Sequence, residues 1–473
     1  MSQKTLSLRE SFELTEKDYQ RLYRKHINPG LLSIYKILGF TKMDIDSAQG
    51  LEIKTKDGKT ILDFTSGIGV LGLGHNHPKI VDAERLCHQL NAIDVQKFGI
   101  NRLQSVLAYN ISQVLPSPLD TSFFTVSGAE AVEAGIKLIT RVQPGFKEYF
   151  VTFREDYHGK THGALSFTDS ENFASGFHTG IPRKNIVIVE PGNTEALKNA
   201  IHDKTISKKK NSIAGIVIEP IQGQTLGVHP TGYLRDVASL CKKNDILMLM
   251  DEIKVGMGRT GKLFSFLEEK IVPDILTISK ALGGGKRAIG VMVTSAALSK
   301  KAYGKRKDSA LHSTTFGGLG ESCAVAIETL NIISDERFLE NVEEKGSYFL
   351  KKLQDLKEKY PGHIKEIVGK GLYLGIVFDF SRYEKNLKSL KIPFVNDMQV
   401  VLMGSIVRCL YSQYGLLTHF TPPRPNMLVI MPPLIITKGQ IDYFMESIDS
   451  VLKIGFSRLF GKFIVENAKN LVG

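Results

Sequence analysis

The stretch ILMLMDEIKVGMGRTG at 246–261 is followed by PDILTISKALGGG at 273–285, and the two have the same form. In each, a short apolar run leads to an ionisable residue, Asp251 or Lys280, just before glycines. Such runs are typical of strands that are buried on both faces of a parallel sheet. Because ligands of open α/β sheets bind at the carboxyl ends of the strands, Asp251 and Lys280 are predicted to meet in one crevice.

A lysine and a carboxylate in one crevice suit pyridoxal phosphate (PLP) chemistry. The lysine forms a Schiff base with the cofactor, and the acid keeps the pyridine nitrogen protonated. Taken singly, Asp251 could be a loop or cap residue and Lys280 a solvated loop residue. Together, DEIKVGMGRTG and SKALGGG closely resemble the class III (ornithine/ω-amino-acid type) PLP-dependent aminotransferases, with Lys280 following Asp251 by 29 positions. The resemblance implies that Lys280 and Asp251 are the catalytic residues.

The resemblance also implies an α/β fold, fold type I of the PLP-dependent transferases. Residues 1–78 are expected to form an N-terminal arm and small-domain segment. Residues 79–330 are expected to form the PLP-binding large domain with a mostly parallel sheet, and residues 331–473 a small α+β domain. With 473 residues, of which 42% are hydrophobic, the chain can bury a core of this size.

Composition points to a cytoplasmic protein without a metal site. The charged N-terminus has no apolar signal region, and no window of the sequence has the length and hydropathy of a membrane span. The four cysteines are widely scattered, match no metal-ligand spacing and are expected to be reduced thiols, at Cys87, Cys241, Cys323 and Cys409.

The net charge of +12 could indicate a nucleic-acid partner. The lysines, however, lie in separate runs at 207–211 and 300–307, beside acidic segments and without interleaved aromatic residues. These runs are interpreted as solvated surface, and the alternative is that part of the charge steers anionic substrates. The basic amphipathic stretch 456–473 is predicted to dock on its own domain, with membrane-surface binding as the alternative.

Local patterns predict the elements that surround the crevice. Residues 8–28 are predicted to form one amphipathic helix, and 51–64 a hairpin around a Lys-Asp-Gly turn. The glycine-rich stretch 65–78 lacks the spacing of a dinucleotide fingerprint. A strand at Phe123–Val126 leads through Ser-Gly into a helix at Ala129–Arg141, which directs backbone N–H groups at an anion.

The resemblance assigns further residues to the cofactor. Its phosphate-binding segment matches SGAEAVEA, which gives Gly128 and Ala129 to the PLP phosphate. Tyr157, in YHGKTHGA, takes the place of the aromatic residue that stacks on the pyridine ring. Glu219 is expected to orient the surroundings of Asp251, and Ile253 to pack beneath the ring.

Three more positions follow from the resemblance or depart from it. His158 is expected to be a structural neighbour, with a general-base role as the alternative. Lys254 stands where the family usually has glutamine, so it adds a cationic contact near the cofactor or none at all. Thr315, in LHSTTFGGLG, is expected to reach the cofactor phosphate of a second subunit, which implies a homodimer with shared active sites.

The substrate side differs most from the family. Ornithine-type members carry an arginine at the position of Val429, which clamps the substrate α-carboxylate, and a glutamate at the position of Gln224, which masks that arginine. Both are missing here. Arg424 resembles the mobile arginine of amine-accepting members, and an exposed loop arginine is the alternative. The expected substrates are an amine, a diamine or an ω-amino compound, with a keto acid or an aldehyde as acceptor.

Motifs leave the reaction type open within this fold. Racemases or aminomutases, decarboxylases and phospholyases use the same lysine and aspartate but break a different bond. Amino transfer is the commonest outcome of the pattern and is the predicted one. A non-enzymatic binding role would require Lys280, Asp251 and Tyr157 to be idle.

Overall fold

The computed structural model describes residues 5–206, 211–383 and 398–471. The predicted basic run at 207–211 therefore falls almost wholly outside the described residues. The cations of the second run, at 300–307, are exposed, as expected for solvated surface.

The strands of the described residues form three sheets. Their bounds are β1 Ile45–Gln49, β2 Glu52–Thr55, β3 Thr60–Asp63, β4 Thr121–Thr125, β5 Tyr149–Phe153, β6 Ile186–Val189, β7 Ile213–Ile218, β8 Leu247–Asp251, β9 Ile275–Ile278, β10 Gly290–Thr294, β11 Ile364–Lys370, β12 Tyr373–Phe378, β13 Leu416–Leu417, β14 His419–Thr421 and β15 Arg424–Ile430.

The helices of the same residues surround these sheets. Their bounds are α1 Leu8–Glu13, α2 Glu16–His26, α3 Pro29–Leu38, α4 Ser66–Gly69, α5 Pro78–Gln89, α6 Arg102–Gln113, α7 Gly128–Val142, α8 His162–Leu165, α9 Glu171–Ala174, α10 Thr194–His202, α11 Tyr233–Lys243, α12 Ala296–Tyr303, α13 Gly320–Ile333, α14 Glu336–Lys359, α15 Met398–Tyr414, α16 Lys438–Ile454 and α17 Phe456–Leu471. Short 3₁₀ turns lie at Phe40–Lys42, Arg183–Asn185, Ser265–Glu269 and Lys280–Gly283.

The large sheet has the strand order β4-β10-β9-β8-β7-β5-β6. Strand β10 runs antiparallel to both of its neighbours, and the remaining pairs are parallel. Strands β7, β9 and β10 are buried along their whole length, which explains their continuous apolar sequences. The two apolar runs that precede Asp251 and Lys280 thus form the predicted neighbouring strands, β8 and β9.

Helix α7 lies on one face of this sheet. It begins with Ser127 as N-cap in a capping box with Glu130. At Gly135, a Cβ atom would lie only 2.3 Å from Leu249 Cδ1, so the absence of a side chain allows the helix to approach β8 closely. The close packing fixes the helix N-terminus relative to the carboxyl end of the strand.

The N-terminal helix differs from the prediction. Residues 8–28 form two helices rather than one, because Leu14 and Thr15 are extended. The Thr15 hydroxyl accepts a hydrogen bond from the Asp18 N–H and begins the second helix as its N-cap. The period of apolar residues continues across the break, and the cap determines where it falls.

The hairpin predicted at 51–64 is present as β2 and β3, and β1 extends it. Strand β13, more than 350 positions later, pairs in parallel with β3 through Leu416 and Leu62. The small sheet has the antiparallel order β11-β12-β15-β14. The α/β fold with a mostly parallel large sheet and a small C-terminal α+β domain is confirmed, while the boundaries at 78 and 330 stay predictions.

The C-terminal helix α17 packs against α15 and α3. Its apolar side chains Phe456, Leu459, Phe460 and Phe463 are buried, and the Phe456 ring contacts Phe378 and Phe380 at the small sheet. These contacts agree with the docking interpretation of the basic tail. Within the described ranges, the helices are too short or too polar to cross a membrane.

Candidate active site

A cleft with a volume of about 460 Å³ lies at the carboxyl ends of β7, β8 and β9. Parallel strands end at the same edge of a sheet, so residues that are distant in sequence converge here. The predicted residues that line the cleft are Gly128, Ala129, Tyr157, Glu219, Asp251, Ile253, Lys254 and Lys280.

Asp251 is the last residue of β8 and is buried. Its Oδ1 accepts hydrogen bonds from the Ile253 N–H at 3.0 Å and the Thr277 hydroxyl at 3.2 Å. Its Oδ2 lies 2.8 Å from Nδ1 of His158. These three contacts hold the carboxylate in one orientation at the floor of the cleft.

His158 lies between two aspartates and is itself buried. Its Nε2 is 3.6 Å from Oδ2 of Asp156, and its Nδ1 bonds Asp251. Burial alone would lower the pKa of His158, but the interactions with Asp156 and Asp251 outweigh it and raise the pKa to about 10. An imidazolium that stays charged at neutral pH stabilises the negative charge of Asp251.

Glu219 follows the last residue of β7, and its side chain bonds two backbone N–H groups. Its Oε2 accepts from the Tyr157 N–H at 2.8 Å, and its Oε1 from the Gly223 N–H at 2.9 Å. Burial, together with the charges of Asp156 and Asp251, raises the pKa of Glu219 to about 8. The carboxyl group thus orients Tyr157, whose ring contacts Phe173 edge-on at a centroid distance of 5.4 Å.

The N-terminus of α7 forms another wall of the cleft. Within the described part of the chain, the N–H groups of Gly128 and Ala129 have no hydrogen-bond acceptor. A Cβ atom at Gly128 would lie 2.9 Å from Ile253 Cδ1, so Ile253 packs directly against the glycine. The helix therefore begins at the cleft, with its first two residues among the lining.

Lys280 begins the 3₁₀ turn that follows β9. Its φ of 43° lies in the left-handed region, which is costly for a residue with a side chain and is typical of functional sites. The Ser279 hydroxyl before it donates to the Ile289 carbonyl at 2.7 Å. Burial lowers the pKa of the Lys280 amine, although Asp251 and Glu219 act in the opposite direction.

Two predicted site residues do not line this cleft. Thr315 is exposed, on a segment that Lys97 Nζ holds by a 2.6 Å hydrogen bond to the Thr314 carbonyl. Arg424 Nη1 donates to the Thr225 carbonyl at 3.1 Å, and its Nη2 lies 3.6 Å from Glu366 Oε2. Both roles stay predictions.

A comparison of the sequence with known protein families shows the family of this chain. The sequence profile of the family described as aminotransferase class-III matches residues 38–452. The chain belongs to the class-III aminotransferases. Members of this family are PLP-dependent transaminases, and this chain is one of them.

Individual relatives of this aminotransferase cover most of its chain. It is 32% identical over 461 residues to aminotransferase PigE of Serratia sp. The match covers 91% of this chain and 52% of PigE. It is 34% identical over 428 residues to acetylornithine aminotransferase of Methanocaldococcus jannaschii, covering 88% and 95%. The chain thus spans about half the length of the first relative and nearly all of the second.

Solved structures show the same fold. A thermostable (S)-enantioselective omega-transaminase from Thermomicrobium roseum superposes with a TM-score of 0.80 at 25% identity, covering 93% of this chain and 98% of the other. Ornithine aminotransferase from Toxoplasma gondii superposes with a TM-score of 0.75 at 24% identity, covering 99% and 100%. The second likeness supports the fold alone.

The residues of the cleft fit the cofactor of the family. Two open N–H groups at the N-terminus of α7 suit a phosphate, since the helix dipole adds to their attraction for an anion. Asp251, braced by His158, suits a protonated ring nitrogen, and Lys280 supplies the amine. Phosphate, ring and aldehyde each have a matching group in one cleft.

Asp156 was not among the predicted site residues of this aminotransferase, and His158 was expected to be only a structural neighbour. The sequence signal for both residues is the triplet Asp-Tyr-His at 156–158, which places one carboxylate close to a histidine. A histidine between two carboxylates is held in its charged form. The second carboxylate, Asp251, comes from a strand 93 positions away, so the contact required the tertiary structure. His419, whose buried ring nitrogens have no partner among the described residues, also went unnoticed.

Proposed function

We propose that this aminotransferase moves an amino group between an amine, diamine or ω-amino substrate and a keto acid or aldehyde acceptor. Lys280 and Asp251 are the proposed catalytic residues. The observation that carries the proposal is their placement at the ends of the adjacent strands β8 and β9, at one cleft. PLP, when bound, supplies an aldehyde that takes up the amino group and a ring that accepts electrons.

Lys280 has two proposed tasks. Its amine would hold the cofactor covalently, and once free it would carry a proton to and from the substrate carbon. Only the uncharged amine can do either. The buried surroundings, which lower the pKa of Lys280, increase the uncharged fraction at neutral pH.

Asp251 has the opposite requirement, because it must stay negative beside the ring nitrogen. The charged His158 at 2.8 Å favours this state. Gly128 and Ala129 are the proposed phosphate donors. Tyr157, oriented by Glu219, and Ile253, packed on Gly128, are proposed to hold the two faces of the ring.

The choice of amine rests on position 429. Val429 is fully buried and packs in an apolar cluster with Tyr373, Met427 and Met431. An α-carboxylate placed against these side chains would lose its hydration and would not meet the arginine that ornithine-type enzymes carry at this position. Amines without an α-carboxylate are therefore the proposed donors, although one relative is an acetylornithine aminotransferase.

A homodimer is proposed from an apolar surface. Phe98, Ile100 and Leu90 are 99%, 85% and 69% exposed. Leu90 and Ile100 line a groove of about 850 Å³ whose walls come mainly from α5, the segment 90–101 and α13, and Phe98 lies on the same segment. Lys97 ties the same surface to the segment that carries Thr315. A second copy would cover these side chains and bring Thr315 to its active site, so dilution into monomers is expected to abolish activity.

The cytoplasmic location stays a prediction. All four cysteines are free and buried, which agrees with a reducing compartment.

Borohydride reduction followed by peptide mapping tests the cofactor site. A PLP label on the peptide that contains Lys280 is the expected result, and a label on another lysine contradicts the assignment. Transamination is then tested by adding a diamine and measuring pyridoxamine phosphate. If the label is found but no amine donor produces pyridoxamine phosphate, the alternative PLP reactions, racemisation, decarboxylation or phosphate elimination, replace amino transfer.

A further inference from the structure

One face of the small sheet is apolar and packs against the large domain. It is formed by Tyr373, Val377, Met427, Val429 and Met431, and is called the small-sheet face below. Ile221, Leu226 and Val255 of the large domain complete the cluster. The position that carries an arginine in the resembling ornithine-type enzymes thus lies among apolar side chains.

His419 lies on the same face. It is directly opposite Val429 in the register of β14 and β15, and opposite residues of antiparallel strands project to the same side. Both of its ring nitrogens are buried, and neither has a hydrogen-bond partner within the described residues. Because a buried polar group without a partner is costly, this ring indicates a ligand.

Lys254 lies between the small-sheet face and the cleft. Its Nζ is 5.3 Å from the centre of the Tyr373 ring, and the Tyr373 hydroxyl donates to the Gly223 carbonyl at 2.7 Å. A Cβ atom at Gly223 would lie 3.5 Å from Lys254 Cδ, so the stem is packed against the backbone. No hydrogen bond or ion pair to the ammonium group is formed by the residues that the structure describes.

The electrostatics of the two side chains agree with this placement. Burial lowers the pKa of His419 to about 3, and the nearby charge of Lys254 adds to the shift. His419 is therefore a neutral ring with one N–H to donate. Burial, with the charges of Lys280 and Arg259, lowers the pKa of Lys254 to about 7, although Glu219 acts in the opposite direction. An anion bound beside Lys254 would restore its charge.

We propose that Lys254 and His419 bind the carboxylate of the 2-oxo acid acceptor, in place of the arginine that Val429 replaces. Lys254 supplies the positive charge, and the His419 N–H supplies a directed hydrogen bond. This subsite rests on the proposed function, because it serves the second half of the amino transfer. In this proposal Lys254 contacts the substrate instead of the cofactor. Arg424 keeps its contacts with Glu366 and Thr225.

A binding measurement tests the subsite without turnover. The PLP-loaded enzyme is titrated calorimetrically with butanoate and with the neutral butanamide. The wild type is expected to prefer butanoate at least tenfold. Lys254→Gln, which removes the charge, and His419→Phe, which removes the N–H, are expected to lose this preference. Lys262→Gln is the matched control, because Lys262 is exposed, pairs with Glu343 and does not line the cleft.

A half-reaction then distinguishes a role of Lys254 in binding the acid from a role in binding the cofactor. The amine-loaded enzyme is mixed with 2-oxobutanoate or with butanal, and the return of the PLP absorbance is followed. Loss of a charge-assisted contact in Lys254→Gln is expected to lower kcat/KM for 2-oxobutanoate about a hundredfold, and that for butanal less than threefold. Lys254→Arg is expected to recover part of the loss, and the control Lys262→Gln to change either value less than threefold.

Three results overturn the inference. One is an equal loss for both acceptors in Lys254→Gln, since Lys254 would then serve the cofactor. Another is a selective loss of kcat/KM for 2-oxobutanoate in Arg424→Gln. The third is an unchanged preference for butanoate in both Lys254→Gln and His419→Phe. If the wild type converts neither acceptor, the proposed function fails, and the calorimetric preference still decides whether the carboxylate subsite exists.

Discussion

The cleft of the large domain and the neighbouring small-sheet face differ in how their polar groups are satisfied. On the large-domain side, Asp251 has three hydrogen-bond partners, and Glu219 bonds two backbone N–H groups. On the small-sheet side, His419 has no hydrogen-bond partner within the described residues, and Val429 contributes only apolar surface. The first side is organised before any ligand binds, whereas the second side is completed by what it binds. Reaction chemistry and substrate choice are therefore separable by mutation.

The largest effect is expected on the organised side, from Lys280→Ala. Without the amine there is neither a covalent anchor nor a proton carrier, and turnover should fall by about four orders of magnitude. Circular dichroism should show an intact fold. Lys286→Ala, at an exposed lysine that follows the same glycines, is the control and should retain activity. Activity within tenfold of the wild type would remove Lys280 from the mechanism.

Asp251→Asn is expected to lower kcat by about two to three orders of magnitude, because the isosteric amide cannot stabilise a protonated ring nitrogen by charge. The variant should still fold and bind PLP, since the phosphate donors at α7 are untouched. Steady-state kinetics with a saturating amine measure the effect. Turnover close to that of the wild type would show that Asp251 does not face the ring nitrogen.

Val429→Arg tests the apolar side. An arginine there would be buried without a carboxylate, and the free energy of unfolding should fall by about 3 kcal/mol. Denaturant titration measures the loss. The double variant with Gln224→Glu, which adds the glutamate that ornithine-type enzymes carry, should recover part of the stability. If the single variant is as stable as the wild type and gains activity on ornithine, the apolar interpretation of position 429 is wrong.

A smaller effect is expected from His158→Asn, which retains a donor to Asp251 but loses the positive charge. Because one charge-assisted contact becomes a neutral one, kcat should fall about tenfold. The pKa of His158 near 10 keeps the imidazolium charged through neutral pH, so the loss should be constant between about pH 6 and 9. A ratio of variant to wild type that changes across this range would contradict a permanently charged His158.

Sequence patterns predicted the strands around the site because buried parallel strands are continuous apolar runs. The runs before Asp251 and Lys280 became β8 and β9, and the Ser-Gly stretch became the start of α7. The break at Thr15 was missed because one hydroxyl cap overrode an unbroken apolar period. Strand β1 was missed because it is mostly polar and its residues are largely exposed.

What the sequence determined by itself is the local chemistry: the buried strands, the residues at their ends and the identity of the lysine and the aspartate. Only the tertiary structure decided which distant groups touch, because hydrogen bonds such as His158 to Asp251 join segments 93 positions apart. The same holds for His419, whose position opposite Val429 follows from strand register. Apolar periodicity is a property of neighbouring residues, whereas register and pairing are set by the packing of the whole chain.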